Sequence, residues 1–218
     1  MGSDDDFPKT TKSPSSSKLY RGPGKRVLDI ALTVLALPIV LPVIGFLAIL
    51  VAFDGGKPFY SQARVGKGGR IYRMWKLRSM VKDADACLEH YLRDNPDLRH
   101  EWDSKQKLVS DPRITSLGRF LRASSLDELP QFFNVLVGNM SLVGPRPMMV
   151  SQKALYPGED YYDLRPGITG LWQISDRHRT TFAERAAYDS RYNHILSLAS
   201  DLAILAATVK VVFGNAGC

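Results

Sequence analysis

The feature that most constrains this chain is an apolar run from Val27 to Phe53. Only Asp29, Thr33, Pro38 and Pro42 break its apolar character. At a rise of about 1.5 Å per residue, a helix of this length crosses a hydrocarbon core about 30 Å thick. A soluble domain of this size rarely buries so long an apolar helix. The run therefore predicts a membrane segment, and its length and position inside the chain do not match a secretory signal peptide.

Two prolines in the middle of the run remove backbone donors and predict a kink or break near residues 38–42. Cytoplasmic flanks of membrane segments usually hold the excess of Lys and Arg. Here both flanks are basic: Lys18, Arg21, Lys25 and Arg26 precede the run, and Lys57, Arg64, Lys67, Arg70, Arg73, Lys76 and Arg78 follow it. This pattern favours a re-entrant helix that returns to the face it entered from, with a straight span as the alternative.

Composition indicates how the rest of the chain is divided and what kind of partner it binds. Residues 1–24 are rich in Ser, Pro, Lys and Asp, which predicts a disordered tail. We therefore divide the chain into this tail, a membrane helix over 25–54, and a further domain over 55–218. The formal net charge of +7 and the pI near 9.4 indicate anionic partners. Two cysteines without metal-ligand spacing fit a reducing compartment.

Periodicity and turn residues predict the elements of the third segment. Residues 58–75 predict a small β element with a glycine-rich turn. Residues 80–107 predict two exposed helices, interrupted at an Asn-Pro pair. Residues 131–137 predict an apolar helix and 182–195 an amphipathic one, whereas 196–213 fits either a core helix or one lying on a membrane surface. The fold class is thus α+β: a mainly helical single domain, a small β element, a re-entrant membrane helix and interfacial amphipathic helices.

Adjacent carboxylates at Asp127 and Glu128 have two interpretations. In the first they are structural: Ser125 and Glu128 form a capping box, or Asp127 is itself the N-cap of the following helix. In the second they are catalytic. A helix N-terminus bordered by Arg119 and Arg122 would keep Asp127 ionised as a nucleophile, and Glu128 would offer an oxygen ligand to Mg²⁺.

Other candidate residues have weaker individual signals. Lys76 and Arg78 alternate on one side of an extended segment, which fits phosphate binding, lipid headgroup contact or a solvated cationic face. Arg146 stands between two prolines that hold its backbone extended and present one rigid fork to a phosphate. Trp172 fits core packing better than stacking on a base. The histidines lack ligand spacing: His90, His100, His178 and His194.

Five motifs occur along the chain in a fixed order: Lys76-Leu77-Arg78-Ser79-Met80, Asp111-Pro112-Arg113, Ser125-Leu126-Asp127-Glu128-Leu129-Pro130-Gln131, Leu142-Val143-Gly144-Pro145-Arg146-Pro147 and Arg165-Pro166-Gly167-Ile168-Thr169-Gly170. In this order they resemble the bacterial sugar transferases, also called monotopic phosphoglycosyl transferases. The resemblance runs from about residue 26 to 213. One such motif would be weak evidence, but five in order are highly specific.

The resemblance implies transfer of a sugar 1-phosphate from a UDP-sugar to polyprenyl phosphate at the cytoplasmic face of the bacterial inner membrane. Asp127 would attack the β-phosphate, expel UMP and carry the phosphosugar, while Glu128 would hold Mg²⁺. The same resemblance assigns substrate or phosphate binding to a further set of residues: Lys76, Arg78, Arg122, Gln131, Arg146 and Gln173.

The resemblance is strongest to short members that begin exopolysaccharide repeat units, which makes galactose the first expected sugar and glucose the second. One position departs from the family pattern: Leu41 precedes Pro42, where relatives often have a serine, and Pro38 is additional. Expected partners are the UDP-sugar, polyprenyl phosphate and membrane lipids; homodimerisation stays open. The alternative function is a non-catalytic membrane anchor that binds acidic lipids. Nucleic-acid binding ranks last, because it gives no use for the apolar run.

Overall fold

A computed structural model describes residues 19–105, 108, 111–175 and 181–214. In chain order the helices are α1 (Lys25–Phe53), α2 (Ala84–Asp94), α3 (Pro96–Lys105), α4 (Ser116–Ala123), α5 (Gln131–Leu136), α6 (Asp160–Asp163), α7 (Leu171–Ile174), α8 (Arg185–Ile195) and α9 (Leu198–Gly214). The strands are β1 (Phe59–Val65), β2 (Ile71–Leu77), β3 (Ser141–Val143), β4 (Met148–Met149) and β5 (Gly167–Thr169). Helices with a small sheet component confirm the predicted α+β class.

The chain forms two compact units, each built from segments that are distant in sequence. Of the described residues, unit 1 contains those within 19–36, 63–73 and 132–214, and unit 2 contains those within 37–62 and 74–131. Helix α1 contributes residues 25–36 to unit 1 and residues 37–53 to unit 2. The division into a membrane helix over 25–54 and a domain over 55–218 stays a prediction.

Helix α1 is continuous through Pro38 and Pro42. The expected break is therefore not a loss of helical backbone. The prolines stand four residues apart and remove successive hydrogen bonds on one side of the helix, and neighbouring structure commonly compensates for this in apolar helices. By length and composition, this is the described helix that is suited to cross a membrane. Several of its apolar side chains are exposed: Val27, Val34, Leu35, Ile39, Phe46, Ile49 and Phe53.

The predicted β element is confirmed as the hairpin of β1 and β2. A short 3₁₀ turn over Lys67–Gly69 joins the strands, with Gly68 at φ 66°. The three-stranded sheet has the order β2-β1-β4, and β4 runs antiparallel to β1 with Arg64 opposite Met149. A second, two-stranded sheet pairs β3 with β5 in parallel.

Unit 2 has two apolar clusters. In the first, Leu47 and Val51 from α1 pack with Leu77 at the end of β2 and Leu121 in α4. In the second, the side chains of α2 and α3 surround Leu88, Leu92 and Leu108. The helical pair predicted over 80–107 is confirmed, and Asn95 is the residue that separates its two helices.

Unit 1 anchors the start of α1 through polar side chains. Lys25 Nζ lies 2.6 Å from Asp201 Oδ2 in α9 and 3.0 Å from the Tyr192 hydroxyl in α8. The Tyr20 hydroxyl donates to the same Asp201 oxygen at 2.6 Å. Residues 1–18 of the predicted tail lie outside the described residues, but Tyr20–Gly24 form a helical turn. The predicted tail therefore extended too far, because partners distant in sequence order its last residues.

Helix α8 lies in the segment predicted to be amphipathic, 182–195, and α9 coincides with the predicted apolar segment, 196–213. In α9, Ser200, Asp201 and Ile204 are buried, whereas Leu202 and Val209 are exposed. One face of α9 is therefore core, and the other face keeps apolar side chains at the surface. Contact of that second face with a membrane surface stays a prediction.

Candidate active site

Asp127 and Glu128 lie on a single 3₁₀ turn, Leu126–Glu128, between α4 and α5. Ser125 begins the turn with a left-handed backbone, at φ 57°, and its side chain makes no capping hydrogen bond. Instead the Glu128 amide donates to the Ser125 carbonyl at 3.2 Å. The capping-box interpretation is therefore wrong. Asp127 is not the N-cap of α5 either, because that helix begins at Gln131.

Apolar spacing fixes the orientation of this turn. Leu126 and Leu129 pack against the cluster of Leu47, Val51, Leu77 and Leu121. Residues three apart in a helical turn share one side. The two carboxylates between the leucines are therefore directed away from the apolar cluster. Strand β2 supplies the complementary cation, since Lys76 immediately precedes the buried Leu77 and successive strand residues point to opposite faces.

One ammonium group serves both carboxylates. Lys76 Nζ lies 2.7 Å from Glu128 Oε1 and 3.3 Å from Asp127 Oδ2. Asp127 is 5% exposed, whereas the side chain of Glu128 is 27% exposed. Lys76 thus divides one positive charge between two adjacent carboxylates. The arrangement thus joins a buried carboxylate to a more accessible one through a shared cation.

Burial raises the pKa of Asp127, with Lys76 opposing that effect and Glu128 adding to it; Arg122 has a smaller lowering influence. The direction differs from our expectation that flanking arginines would dominate. Arg119 donates to the Ile114 carbonyl and to Ser116 Oγ, so it serves its own helix. Lys76 is the main group that favours the ionised form of Asp127.

Helix α4 approaches the strand end very closely. A Cβ on Gly118 would lie 2.0 Å from the Ser79 carbonyl oxygen, so only glycine fits there. From the same helix, Arg122 Nε donates to Ser79 Oγ at 2.8 Å. This close contact sets where the Arg122 guanidinium stands in unit 2.

Arg78 has a structural partner, and its role in phosphate binding stays a prediction. Its Nη2 donates to the Val51 carbonyl at 2.8 Å, near the end of α1. A cation at a helix C-terminus satisfies an orphan carbonyl and interacts favourably with the helix dipole. Its Nε is buried without a hydrogen-bond partner. Arg78 therefore ties the end of the apolar helix to the strand that carries Lys76.

The remaining predicted site residues are distributed over both units. Gln131, at the start of α5, belongs to unit 2 and is buried. Arg146 and Gln173 belong to unit 1. The Gln173 Oε1 atom is buried without a hydrogen-bond partner. Unit 2 thus brings together Lys76, Asp127 and Glu128, with Arg122 close enough to act on the Asp127 carboxyl.

In unit 1, two glycine-rich loops meet through their backbones. A Cβ on Gly144 would lie 2.2 Å from the Arg165 carbonyl oxygen, and one on Gly170 would lie 2.0 Å from the Gly144 carbonyl oxygen. This packing presents Arg146 above Trp172, with the guanidinium carbon 5.6 Å from the ring centroid. Trp172 is buried, which confirms that core packing is its main role.

A second cation on Trp172 was missed by the sequence reasoning. The Arg185 guanidinium carbon lies 4.2 Å from the centroid of the same indole ring. Arg185 lies in the segment 182–195, for which the sequence predicted only an amphipathic helix. The available signal was its spacing, because it stands one helical turn before the acidic Asp189.

A magnesium ion was predicted at Glu128. Among the described residues, no three His, Cys, Asp or Glu side chains come together as a metal site. Mg²⁺ is commonly held by one or two carboxylates together with waters and substrate phosphates. The partly exposed Glu128 beside Asp127 suits this second mode, so the oxygen donors present fit a magnesium ion that substrate helps to hold.

Comparison with known sequences decides the family. The sequence model of the bacterial sugar transferases matches residues 20–215. The chain belongs to the bacterial sugar transferase family. The match covers nearly all the described residues, including the turn with Asp127 and the loop with Arg146.

Individual relatives agree with this assignment. A UDP-galactose-lipid carrier transferase of Erwinia amylovora is 45% identical over 195 residues, which cover 88% of this chain and 41% of that protein. An undecaprenyl-phosphate galactose phosphotransferase of Salmonella typhimurium is 44% identical with the same coverage. The exopolysaccharide production protein ExoY of Rhizobium meliloti is 42% identical over 194 residues, 88% of this chain and 86% of that protein. The chain therefore spans less than half of the first two relatives but most of the third.

Proposed function

We propose that this protein transfers a hexose 1-phosphate from a UDP-sugar to polyprenyl phosphate, releases UMP, and so begins the assembly of an exopolysaccharide or related glycoconjugate. Family membership and the names of the relatives support the reaction class. The single observation that carries the proposal is the turn in which Asp127 and Glu128 share the ammonium of Lys76.

The proposed reaction has two displacement steps at phosphorus. First, a carboxylate oxygen of Asp127 attacks the β-phosphorus of the donor; the bond from that phosphorus to the bridging oxygen breaks, and the oxygen leaves with UMP. Second, a phosphate oxygen of the polyprenyl acceptor attacks the same phosphorus. The bond to Asp127 then breaks, which restores the carboxylate and gives a polyprenyl diphosphate sugar.

The surroundings of Asp127 suit a nucleophile. A carboxylate attacks only in its ionised form, and Lys76 favours that form against the raising effect of burial. Because Asp127 is buried, few waters compete for its oxygens. The turn is held by leucines on both sides, so the carboxylate is positioned before substrate arrives.

Glu128 would hold Mg²⁺ together with substrate phosphate oxygens. When bound, the ion supplies positive charge against the pyrophosphate. Lys76, Arg78, Arg122 and Gln131 are the proposed phosphate-binding residues of unit 2, and Arg146 and Gln173 are the proposed phosphate-binding residues of unit 1. Lys76 has the clearest role, since its ammonium already bridges the two acidic groups.

Galactose is the proposed sugar, because two relatives are named for galactose transfer. Glucose is the second candidate, since it differs only at one ring carbon and the described residues give no physical basis for rejecting it. The proposed acceptor is undecaprenyl phosphate, which is named for the Salmonella relative. We propose no nucleic-acid partner, and a homodimer is one assembly to test.

We propose that α1 lies in the inner membrane as a re-entrant helix, with its two ends and the active site on the cytoplasmic face. The basic residues on both flanks support this placement. The aligned prolines support a bend within the helix. The exposed apolar side chains along α1 provide a lipid-facing surface, and the exposed face of α9 would lie in the headgroup region.

Intact-protein mass tests the covalent step. Purified protein is mixed with Mg²⁺ and one UDP-sugar at a time, without the lipid acceptor. The expected result is a mass gain of one hexose phosphate with UDP-galactose, absent in Asp127→Asn. Isomeric hexoses weigh the same, so each donor must be offered separately.

A matched control is Asp111→Asn, which alters a carboxylate in the same unit that pairs with Arg113. It should form the adduct. If no adduct appears with any donor, UMP release in the absence of acceptor is the second measurement. Absence of both would refute the covalent mechanism and favour the non-catalytic anchor.

Labelling with an impermeant maleimide tests the membrane placement. Cysteines are introduced singly as Ser17→Cys and Lys57→Cys in a variant whose two native cysteines are replaced. Both positions should be protected in intact cells and labelled in inverted vesicles. Labelling of exactly one position in intact cells would show a straight span instead.

A further inference from the structure

Three arginines converge in unit 1 on a site that the sequence did not reveal. Arg146 and Arg185 both stand within 6 Å of the Trp172 ring centroid, at 5.6 and 4.2 Å. Arg64 in β1 donates to the Pro147 carbonyl, directly after Arg146 in sequence. Three different segments of the chain therefore bring guanidinium groups to one place.

The surroundings of Arg185 include an acidic residue of its own helix and a second aromatic ring. Asp189, one turn later in α8, is buried and accepts a 2.6 Å hydrogen bond from the Tyr156 hydroxyl. Residues four apart share a helix face, so Asp189 and Arg185 point the same way. The guanidinium carbon of Arg185 also lies 5.1 Å from the centroid of the Phe182 ring. Arg185 thus packs against two aromatic rings.

The positive charges are incompletely balanced. Burial and the neighbouring guanidiniums of Arg146 and Arg64 lower the pKa of Arg185, and Asp189 opposes this effect. Among the described residues, no carboxylate lies within ion-pair distance, 4.0 Å, of Arg185. Its Nε atom is buried without a hydrogen-bond partner. Two guanidiniums beside one ring, one of them with an unpaired Nε, suit an anionic ligand.

We propose that Arg146 and Arg185, stacked on Trp172, form a binding site for a phosphate or pyrophosphate group of a substrate. Guanidinium forks suit such groups because they offer paired donors in one plane. The indole ring holds both forks in place without competing for their N–H groups. This inference rests on the proposed function only for the identity of the anion, which is either the pyrophosphate of the donor or the phosphate of the acceptor.

Trp172 fluorescence gives a local readout of binding. The chain has three tryptophans, so Trp75→Phe and Trp102→Phe leave Trp172 as the sole emitter. The full chain in nanodiscs is titrated with UDP, with undecaprenyl phosphate, and with phosphatidylglycerol as a headgroup control. We expect a saturable change in emission with UDP or with undecaprenyl phosphate. The probe that produces the change identifies the source of the anion.

Substitution of Arg185 then tests its role. Arg185→Gln should weaken binding about 10- to 100-fold, as expected for lost charge-assisted hydrogen bonds. Arg185→Lys should recover part of the affinity, since it keeps the charge but loses the planar fork. Arg191→Gln removes the same charge from the exposed surface of the same helix and should bind like the parent. If Arg185→Gln does not fold, the intermediate affinity of Arg185→Lys decides the question.

Three results would overturn the proposal: no emission change with either substrate probe, equal affinity in Arg185→Gln and the parent, or an equal response to phosphatidylglycerol. The outcome is separable from that of the proposed function. A parent that forms the Asp127 adduct but shows no dependence on Arg185 rejects this site alone. A parent that binds UDP through Arg185 but forms no adduct rejects the covalent reaction alone.

Discussion

Two lysines of this protein each bind carboxylates, and the two clusters differ in the number of carboxylates that the ammonium binds and in their exposure to solvent. In unit 1, Lys25 pairs with the single carboxylate of Asp201, which also accepts hydrogen bonds from the hydroxyls of Tyr20 and Tyr192. In unit 2, Lys76 stands between the two carboxylates of Asp127 and Glu128. One carboxylate in the first cluster therefore accepts from three donors, whereas one ammonium serves both carboxylates of the second.

Accessibility follows the same division. The side chains of Lys25 and Asp201 are 10% and 1% exposed, so their hydrogen bonds are complete within the protein. Lys76 and Glu128 keep 22% and 27% of their side-chain surface in contact with solvent. A buried ion pair with every partner supplied fixes a helix in place. A partly open pair of carboxylates that shares one ammonium is suited to a ligand, and substitutions at Asp127 and Asp201 separate these two roles.

The largest effect is expected at Asp127. Asp127→Asn removes the nucleophile while keeping the shape of the side chain, so transfer should fall by at least about 10³-fold. The measurement is release of UMP with polyprenyl phosphate present. Circular dichroism and the melting temperature should show a folded protein. Turnover near that of the parent would contradict the assignment of Asp127 as the attacking group.

Asp201→Asn should affect stability rather than catalysis, since it removes the carboxylate that binds the buried Lys25 ammonium. The expected loss is about 3–5 kcal/mol in the free energy of unfolding. Thermal melting in detergent measures it. Below the melting transition, the variant should still form the Asp127 adduct. A variant with normal stability but no adduct would reverse the proposed roles of the two clusters.

Local patterns in the sequence predicted much of the fold. Turn residues and alternation located the β1–β2 hairpin, and Pro96 marked where α2 gives way to α3. The paired carboxylates stood out as a candidate site for the same reason, since they are adjacent in sequence. The prediction at Ser125 was wrong: its type and spacing fit a capping box, but its backbone is left-handed and its side chain makes no capping hydrogen bond.

Long-range partners could not be read in this way. Lys25 and Asp201 are 176 positions apart, and no local rule joins them. The only available hint was a charged residue inside an apolar segment, which usually signals a partner. Arg185 was missed for a related reason, because its position over Trp172 depends on how α8 packs against another helix. Tertiary packing, rather than local preference, decided both cases.

Gly118→Ala should act on the unit 2 cluster through its support. A methyl group there would lie 2.0 Å from the Ser79 carbonyl oxygen, so α4 must shift. We expect a loss of about 1–3 kcal/mol in stability, as for other overpacked sites. The shift would also move Arg122 away from Ser79. Adduct formation should slow more than the stability loss explains, whereas Gly45→Ala, a glycine in α1 with open space around it, should change neither property.

The smallest effect concerns pH. Burial raises the pKa of Asp127, so the rate of adduct formation should rise with pH across that elevated pKa as the carboxylate ionises. The contribution to folding has the opposite sign. With a pKa higher in the folded than in the unfolded chain, the folded protein binds the proton more tightly. The resulting stabilisation is lost as pH rises from the ordinary carboxyl pKa through the elevated one.

Asp127→Asn separates these two effects, because it keeps the buried side chain but cannot ionise. At neutral pH its melting temperature should be slightly higher than that of the parent, and the difference should shrink as the pH is lowered through the same window. Asp201→Asn, in the Lys25 cluster, should be less stable than the parent at neutral pH. Equal melting temperatures for Asp127→Asn and the parent at every pH would mean that Lys76 offsets the burial of Asp127 completely. The Lys25 and Lys76 clusters would then differ in their solvent accessibility alone.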